Sequence, residues 1–254
     1  LIAVASGKGG VGKTWLSITL AQSLASRGRR VLLVDADLGL ANVDIQLGLT
    51  PRADLASFLS GKRALREVIM RHAPQGSAGS CFDVLPGRSG TTAASLDLGL
   101  VDRLLRELRR LEEYDLILLD LGAGIDPAMR LAAAATDTLL VICTDEPTAV
   151  ADAYAVLKLQ ARDHATRSGS AAGGDVRLVV NQCGSQNSGQ RTYEVLSRAC
   201  TTFLGRAPIL AGIVRRDGRV PDAIRRQMPL LVRHPNAAAA DDVRRLAAVL
   251  GRDG

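Results

Sequence analysis

A glycine-rich segment near the start of the chain has the residue types and spacing of a phosphate-binding loop. Residues 7–14 read GKGGVGKT and satisfy the pattern GxxxxGK(S/T). Glycines let the backbone curl so that successive N–H groups point at phosphate oxygens. We expect Lys13 to reach the β- and γ-phosphates and the Thr14 hydroxyl to bind Mg²⁺. The predicted nucleotide site comprises Gly7, Gly9, Gly10, Val11, Gly12, Lys13, Thr14 and Trp15.

A second lysine, Lys8, follows the first glycine of this loop. Phosphate binding does not require it, and an unpaired ammonium group there would repel Lys13 in an empty site. We interpret Lys8 as reaching the nucleotide of a second subunit, where it adds positive charge to phosphoryl transfer. The alternative is a solvent-exposed loop lysine. On the first interpretation, ATP joins two copies into a homodimer.

Carboxylates follow two apolar segments. Asp35 and Asp37 come after VLLV at residues 31–34, and Asp120 comes after LILL at residues 116–119. A buried carboxylate is too costly to leave unpaired, so binding Mg²⁺ or positioning water is the expected use. Asp120 should hold Mg²⁺ through a water molecule, Asp37 should orient the attacking water, and Asp35 should support the metal site. Taken singly, such residues often only cap the next helix.

Two further segments fit a nucleotide site. The small-residue turn GAG at residues 122–124 is suited to sensing a γ-phosphate. Asn181 ends a predicted strand, where its amide group could offer a donor and an acceptor to adenine. An Asx-turn at the strand end is the alternative for Asn181.

The elements that must position these residues are visible as apolar runs. Each run has the length of a buried parallel strand, and they cover residues 1–5, 31–34, 116–119, 138–143, 176–180 and 209–214. Stretches with helical spacing alternate with them, and an amphipathic helix carrying Leu16, Leu20 and Leu24 follows the first run. This alternation predicts an α/β fold of the P-loop NTPase type, a mostly parallel β-sheet with helices on both faces. Ligands bind at the carboxyl ends of such strands, where every motif falls.

The rest of the chain reads as connections and packing. Residues 73–99 are rich in Gly, Ser and Pro. This composition predicts a loop at the edge of the sheet, with a short strand at 82–85. Residues 241–250 place Val243, Leu246 and Leu250 on one helical face, which predicts a final packing helix. The 254 residues suit a single domain. Because the chain opens at Leu1, directly in a strand, we expect an N-terminal extension to precede it.

Composition excludes several classes of protein. No apolar run has the roughly 18 residues of a membrane span and no signal peptide is apparent, so we expect a cytoplasmic protein. No CxxC motif links Cys81, Cys143, Cys183 and Cys200, which argues against zinc or disulfides and predicts buried apolar residues. The net charge of +6 comes from arginines scattered along helices, as expected of a solvated face. Binding of DNA or anionic lipid by that face is a secondary possibility.

The loop KGGVGKT at residues 8–14 resembles the deviant Walker A ATPases, the family that includes MinD, ParA and the Mrp proteins. Three further segments are most similar to the FlhG (FleN) branch, the MinD-like regulators of flagellar number and placement. They are DADLGLANVD at 35–44, DLGAGI at 120–125 and DEPTAVADAYA at 145–155. The resemblance covers essentially the whole chain.

The resemblance implies a slow, partner-regulated ATPase. It makes Lys8 the lysine that acts across the dimer, and Asp37 and Asp120 the switch I and switch II residues. It also places Glu146 near the subunit interface and Asn181 against adenine. The implied partners are an FlhF-type GTPase, a flagellar C-ring component or a flagellar transcription activator, with peripheral membrane association through segments not present in residues 1–254.

The sequence departs from the resembled pattern at two positions. Leu121 stands where many relatives have a hydroxyl residue, and Arg215 stands where a proline is usual before the adenine-side loop that ends at Asp217. The alternative to a flagellar regulator is a ParA-like partition or MinD-like division-site ATPase that binds DNA or membrane. A metal-cluster carrier of the same superfamily is disfavoured, because it needs paired or switch-adjacent cysteines and the residues directly after Asp120 contain none.

Overall fold

The computed structural model describes residues 1–37, 39–74, 80–87, 97–168 and 174–251. Its strands form one eight-stranded sheet, ordered β3-β4-β2-β5-β1-β6-β7-β8. They are β1 (Ile2–Ser6), β2 (Val31–Ala36), β3 (Met70–His72), β4 (Phe82–Leu85), β5 (Leu116–Ala123), β6 (Thr138–Cys143), β7 (Asp175–Cys183) and β8 (Ile209–Arg215). Every neighbouring pair is parallel except β3 and β4. The predicted α/β class is confirmed.

The helices that accompany the sheet lie between and after the strands. They are α1 (Lys13–Ala25), α2 (Val43–Leu47), α3 (Leu55–Leu59), α4 (Leu65–Val68), α5 (Leu98–Arg109), α6 (Pro127–Ala134), α7 (Pro147–Ser168), α8 (Gln186–Leu204), α9 (Arg219–Arg225), α10 (Leu230–Arg233) and α11 (Ala238–Leu250). Within the described ranges, no helix is both long and apolar enough to span a membrane.

Two apolar cores lie on opposite faces of the sheet, because alternate residues of a strand point to opposite sides. Ile2 and Val4 of β1 pack in the core that contains α1 and α11. Ala3 and Ala5 pack in the other core, with α5 and α7. Burial on both faces explains why these strands read as continuous apolar runs.

Several predicted boundaries need correction. The strand β3 was missed, since a three-residue edge strand containing Arg71 and His72 has no apolar run. Asp120 and Asn181 do not end their strands: β5 continues to Ala123 because it pairs with β1, and β7 continues to Cys183. The short strand at 82–85 is confirmed. Residues 75–79 and 88–96 of the predicted loop lie outside the described residues.

The helix after the phosphate loop is more deeply buried than predicted. All residues of α1 are buried, so the helix is not amphipathic in its surroundings. The reason is that α11 packs against α1 and both belong to the same core. The final helix is confirmed and begins at Ala238. Among the cysteines, Cys81 is half-buried rather than buried, whereas the other three are buried as predicted.

Candidate nucleotide site

The glycine-rich segment forms the turn between β1 and α1. Gly10 and Gly12 have φ angles of 81° and 83°, a region that other L-residues adopt only at a cost. A Cβ atom added at Gly10 would meet nothing within 4 Å, so this side of the loop is open. The opening is a cavity of about 310 Å³, lined by Ser6, Lys8, Gly9, Gly10, Val11, Gly12, Lys13, Thr14, Trp15, Asp37, Leu40, Asn42, Gln46, Ala123 and Ile224.

Lys13 forms a buried ion pair below this cavity. Its Nζ atom lies 3.1 Å from Oδ1 of Asp120, and the two side chains are 7% and 1% exposed. The hydroxyl group of Ser17 donates to the same oxygen at 3.0 Å. Ser17 was not among the predicted site residues, although its position one helical turn after Lys13 is the signal that could have identified it.

Asp35 lies beside this pair, because Asp35 and Asp120 are register partners on β2 and β5. Burial, followed by the negative charge of Asp120, raises the pKa of Asp35 to about 7. Its Oδ2 atom accepts hydrogen bonds from the backbone N–H groups of Asn42 and Val43, each at 2.9 Å. The carboxyl group of Asp35 therefore ties β2 to the start of α2.

Asp37 directly follows the end of β2, two residues after Asp35, and lines the cavity. Its Oδ1 atom accepts hydrogen bonds from the N–H groups of Leu40 at 3.0 Å and Gly39 at 3.3 Å. A Cβ atom added to Gly122 would lie 3.3 Å from that oxygen, so Asp37 also faces the turn after Asp120. The structure thus brings together the residue predicted to orient the attacking water and the turn predicted to sense the γ-phosphate.

Lys8 stands at the rim of the cavity and is paired within its own chain. Its Nζ atom lies 2.8 Å from Oε2 of Glu146 and 2.9 Å from Oγ1 of Thr148. The hydrogen bond and charge of Lys8 lower the pKa of Glu146. Lys8 is therefore not unpaired in this protomer, because Glu146 and Thr148 at the start of α7 provide its partners.

The two residues predicted to contact adenine lie outside the cavity lining. Asn181 is buried, and its Nδ2 atom donates to the carbonyl oxygen of Val11 at 2.7 Å. One N–H bond of its amide is therefore directed to the phosphate loop. Asp217 accepts from the N–H group of Arg219 at 3.0 Å and so caps the turn before α9.

The two departures from the resembled pattern have structural explanations. Arg215 donates through its backbone N–H and its Nε atom to Oδ2 of Asp242, each at 2.9 Å, so an arginine at the end of β8 supplies the counter-ion of a buried carboxylate. Leu121 is buried and lines an apolar cavity of about 270 Å³ on the opposite side of the sheet from α1. Its side chain packs in the core.

The residues around the loop fit a magnesium nucleotide. The Lys13 ammonium group and the loop N–H groups suit phosphates, and the Thr14 hydroxyl with nearby carboxylates supplies the oxygen ligands that Mg²⁺ prefers. In the described ranges no group of three or more His, Cys, Asp or Glu residues could hold a metal. Mg²⁺ commonly uses one or two carboxylates together with substrate phosphates, so such a group is not needed.

Comparison with known proteins gives a consistent picture. The model of the CobQ/CobB/MinD/ParA nucleotide binding domain matches residues 2–230. Antiactivator FleN of Pseudomonas aeruginosa is 37% identical over 244 residues, which are 94% of this chain and 82% of FleN. The flagellum site-determining protein YlxH of Helicobacter pylori is 29% identical over 252 residues, which are 98% and 81% of the two chains.

A solved structure has the same fold. The septum site-determining protein MinD of Pyrococcus horikoshii, complexed with Mg-ADP, matches with a TM-score of 0.78 and 22% identity over 98% of this chain and 94% of MinD. The family model spans the loop, Asp37, Asp120 and all eight described strands. The chain belongs to the CobQ/CobB/MinD/ParA nucleotide-binding domain family.

Proposed function

We propose that this protein is an ATP-hydrolysing switch that dimerises around ATP and regulates the number and placement of flagella. The observation that carries the proposal is the open loop cavity, which gathers Lys13, Thr14 and Asp37 and has Lys8 at its rim. The flagellar role is supported by the similarity to FleN and to YlxH, which is named a flagellum site-determining protein. We treat residues 1–254 as one domain, supported by the single sheet that contains every described strand.

The proposed cofactors are ATP, its product ADP, and Mg²⁺. The MinD structure with Mg-ADP supports this assignment, as does the family's description as nucleotide-binding. The N–H groups of residues 9–14 and the ammonium group of Lys13 bind the phosphates, and Thr14 with Asp120 holds Mg²⁺. When bound, Mg²⁺ neutralises charge that develops on the phosphates. Asp35 supports this arrangement by fixing the start of α2 beside it.

The remaining roles complete the proposed mechanism. Asp37 orients the water that attacks the terminal phosphate, since it lines the cavity and faces the turn at Gly122. Lys8 leaves Glu146 and crosses to the nucleotide of the second copy, which adds a positive charge to the transferred phosphate. The acceptor oxygen of Asn181 contacts adenine, and Asp217 borders the adenine side. Ordering of the water by Asp37 and neutralisation by Lys8 are the contributions that accelerate hydrolysis.

The proposed cellular partners follow from the similarity to FleN. They are an FlhF-type GTPase, a flagellar C-ring component or a flagellar transcription activator. Peripheral association with the membrane is part of the same proposal. With these partners, the proposed location of the protein is the cytoplasm.

The decisive experiment is light scattering coupled to size-exclusion chromatography, with Mg-ADP and with Mg-ATP. We expect monomers with ADP and dimers with ATP for the Asp37→Ala variant, which binds but does not hydrolyse ATP. Lys8→Ala should bind ATP without dimerising or hydrolysing it. Lys62→Ala is the matched control, because Lys62 is an exposed lysine outside the loop, and it should behave as wild type. Normal turnover in both Lys8→Ala and Asp37→Ala would refute the proposal.

A further inference from the structure

A glutamine behind the phosphate loop has a strained backbone conformation. Gln182 and Gln227, with φ angles of 57° and 52°, are the non-glycine residues of positive φ in the described ranges. This left-handed region is unfavourable for an L-residue of this kind. Such a conformation persists only where the surrounding structure imposes it, and it is often found at functional sites.

The conformation of Gln182 changes where two consecutive side chains point. In a regular strand, neighbouring residues project to opposite faces. Here the register between β7 and β8 shifts between Val180 and Cys183. As a result both amides reach the phosphate loop: Asn181 donates to the carbonyl oxygen of Val11 at 2.7 Å, and Nε2 of Gln182 donates to that of Gly10 at 3.1 Å.

These two hydrogen bonds orient the peptide units of the loop. In a trans peptide unit the C=O group and the following N–H group point in opposite directions. Anchoring the carbonyl groups of Gly10 and Val11 towards β7 therefore directs the N–H groups of Val11 and Gly12 away from β7. Gly10, Val11 and Gly12 line the cavity, whereas neither amide-bearing residue of β7 does. The anchored side of the loop thus lies opposite its phosphate-binding side.

We propose that Gln182 is a positioning residue for phosphate binding, which presets the loop N–H groups by holding the Gly10 carbonyl. The inference rests on the proposed nucleotide site, since it concerns the same loop. Gln182 does not touch the nucleotide, and the ligand class affected is a nucleoside diphosphate or triphosphate. Adenosine, which lacks phosphates, is not affected.

Gln182→Asn tests this role, because asparagine tolerates positive φ but is one methylene shorter and falls short of the Gly10 carbonyl. Gln227→Asn is the matched control: Gln227 also has positive φ, and its Nε2 atom donates to the carbonyl oxygen of Ile45 at 2.9 Å, on α2 instead of the phosphate loop. The measurements are the dissociation constant for Mg-ADP by titration calorimetry and the thermal midpoint without nucleotide.

We expect the Mg-ADP dissociation constant to rise about two- to tenfold in Gln182→Asn, the effect of one lost hydrogen bond. In Gln227→Asn it should stay within about twofold of wild type, while the midpoints of the two variants shift alike. If Gln182 only stabilised the fold, as Gln227 does, the Mg-ADP dissociation constant would rise equally in Gln182→Asn and Gln227→Asn. Gln182→Arg, which keeps a long donor, should restore the affinity lost in Gln182→Asn.

Two results would overturn the inference: wild-type affinity in Gln182→Asn, or an equal loss in Gln227→Asn. If Gln182→Asn does not fold, Gln182→Gly, which accepts positive φ and has no amide, is measured in its place. Wild-type affinity in that variant would also overturn it. Failure of the wild-type protein to bind Mg-ADP would instead remove the proposed function, and the inference with it.

Discussion

At the scale of single residues, Asp35 is the unusual group of the site. Its carboxyl group is almost fully buried and shares its surroundings with Asp120, whose counter-ion is Lys13. An unfolded chain releases the Asp35 proton near the ordinary pKa of 3.8, whereas the folded chain holds it up to a pKa of about 7. Between these values the folded state binds the proton more tightly, so the free energy of unfolding falls as the pH rises. The loss of stability caused by ionising Asp35 is absent below pH 3.8 and complete above about pH 7.

Asp35→Asn should therefore stabilise the protein at high pH. Asparagine resembles the protonated carboxyl group and can still accept the N–H groups of Asn42 and Val43. We expect the free energy of unfolding at pH 8 to increase on the order of 4 kcal/mol over wild type, with a smaller difference at pH 5. Urea unfolding at the two pH values in the presence of EDTA measures it.

The matched control for this prediction is Asp102→Asn, which removes an exposed carboxylate paired with Arg106. Its difference from wild type should be small at both pH values, because surface pairs contribute little. A less stable Asp35→Asn protein at pH 8 would mean that the hydrogen bonds to α2 require the ionised carboxylate.

At the scale of elements, β8 and α11 are joined by a buried carboxylate. Asp242 of α11 has no exposed side-chain surface. It accepts from the N–H, Nε and Nη2 atoms of Arg215, from Nε2 of Gln186 at 3.1 Å, and from Arg245. Several donors compensate for the cost of burying the charge. This cluster fixes α11, which in turn packs against α1.

Removal of this carboxylate should weaken the fold but not the nucleotide site. Asp242→Ala removes a buried acceptor from the partly exposed Arg215 and the exposed Gln186, and we expect a loss of about 2–3 kcal/mol in the free energy of unfolding. The control Asp241→Ala, next in sequence, breaks an exposed pair with Arg244 and should cost less than about 1 kcal/mol. Chemical denaturation of the two variants measures these free energies. Equal losses would contradict the claim that the buried carboxylate of Asp242 contributes more than the exposed one of Asp241.

At the scale of the whole molecule, the proposed dimer requires Lys8 to exchange partners. In the protomer it pairs with Glu146, and the two side chains are 38% and 57% exposed. An exposed pair of this kind contributes little to stability, so it can be given up without disturbing the fold. The same exposure keeps both residues accessible to a second copy.

Glu146→Gln should therefore favour assembly. Weakening the hold on Lys8 should lower the ATP concentration for half-maximal dimerisation by up to about fivefold, while the thermal midpoint changes little. Light scattering during an ATP titration of an Asp37→Ala background measures this. Glu107→Gln, which weakens an exposed pair with Arg110, should have no effect. An increase in the half-maximal concentration would instead indicate that Glu146 contributes directly to the dimer interface.

The amino-acid sequence by itself determined the features that depend on neighbouring residues. The loop at residues 7–14, the strands that precede Asp35 and Asp120, and the parallel α/β class were all predicted from it. They could be predicted because backbone geometry at glycines and burial on both faces of a strand leave local patterns. For the same reason, β3 escaped prediction: a three-residue polar edge strand has no such pattern.

Only the tertiary structure decided which distant groups meet. Lys13 pairs with Asp120 across 107 residues, and Lys8 pairs with Glu146 across 138. The adjacency of Asp35 and Asp120 follows from β2 lying beside β5, and the reach of Gln182 follows from a register shift against β8. Strand order and register result from the packing of the whole sheet, which no single segment encodes, and so the electrostatics of the site emerged only with the fold.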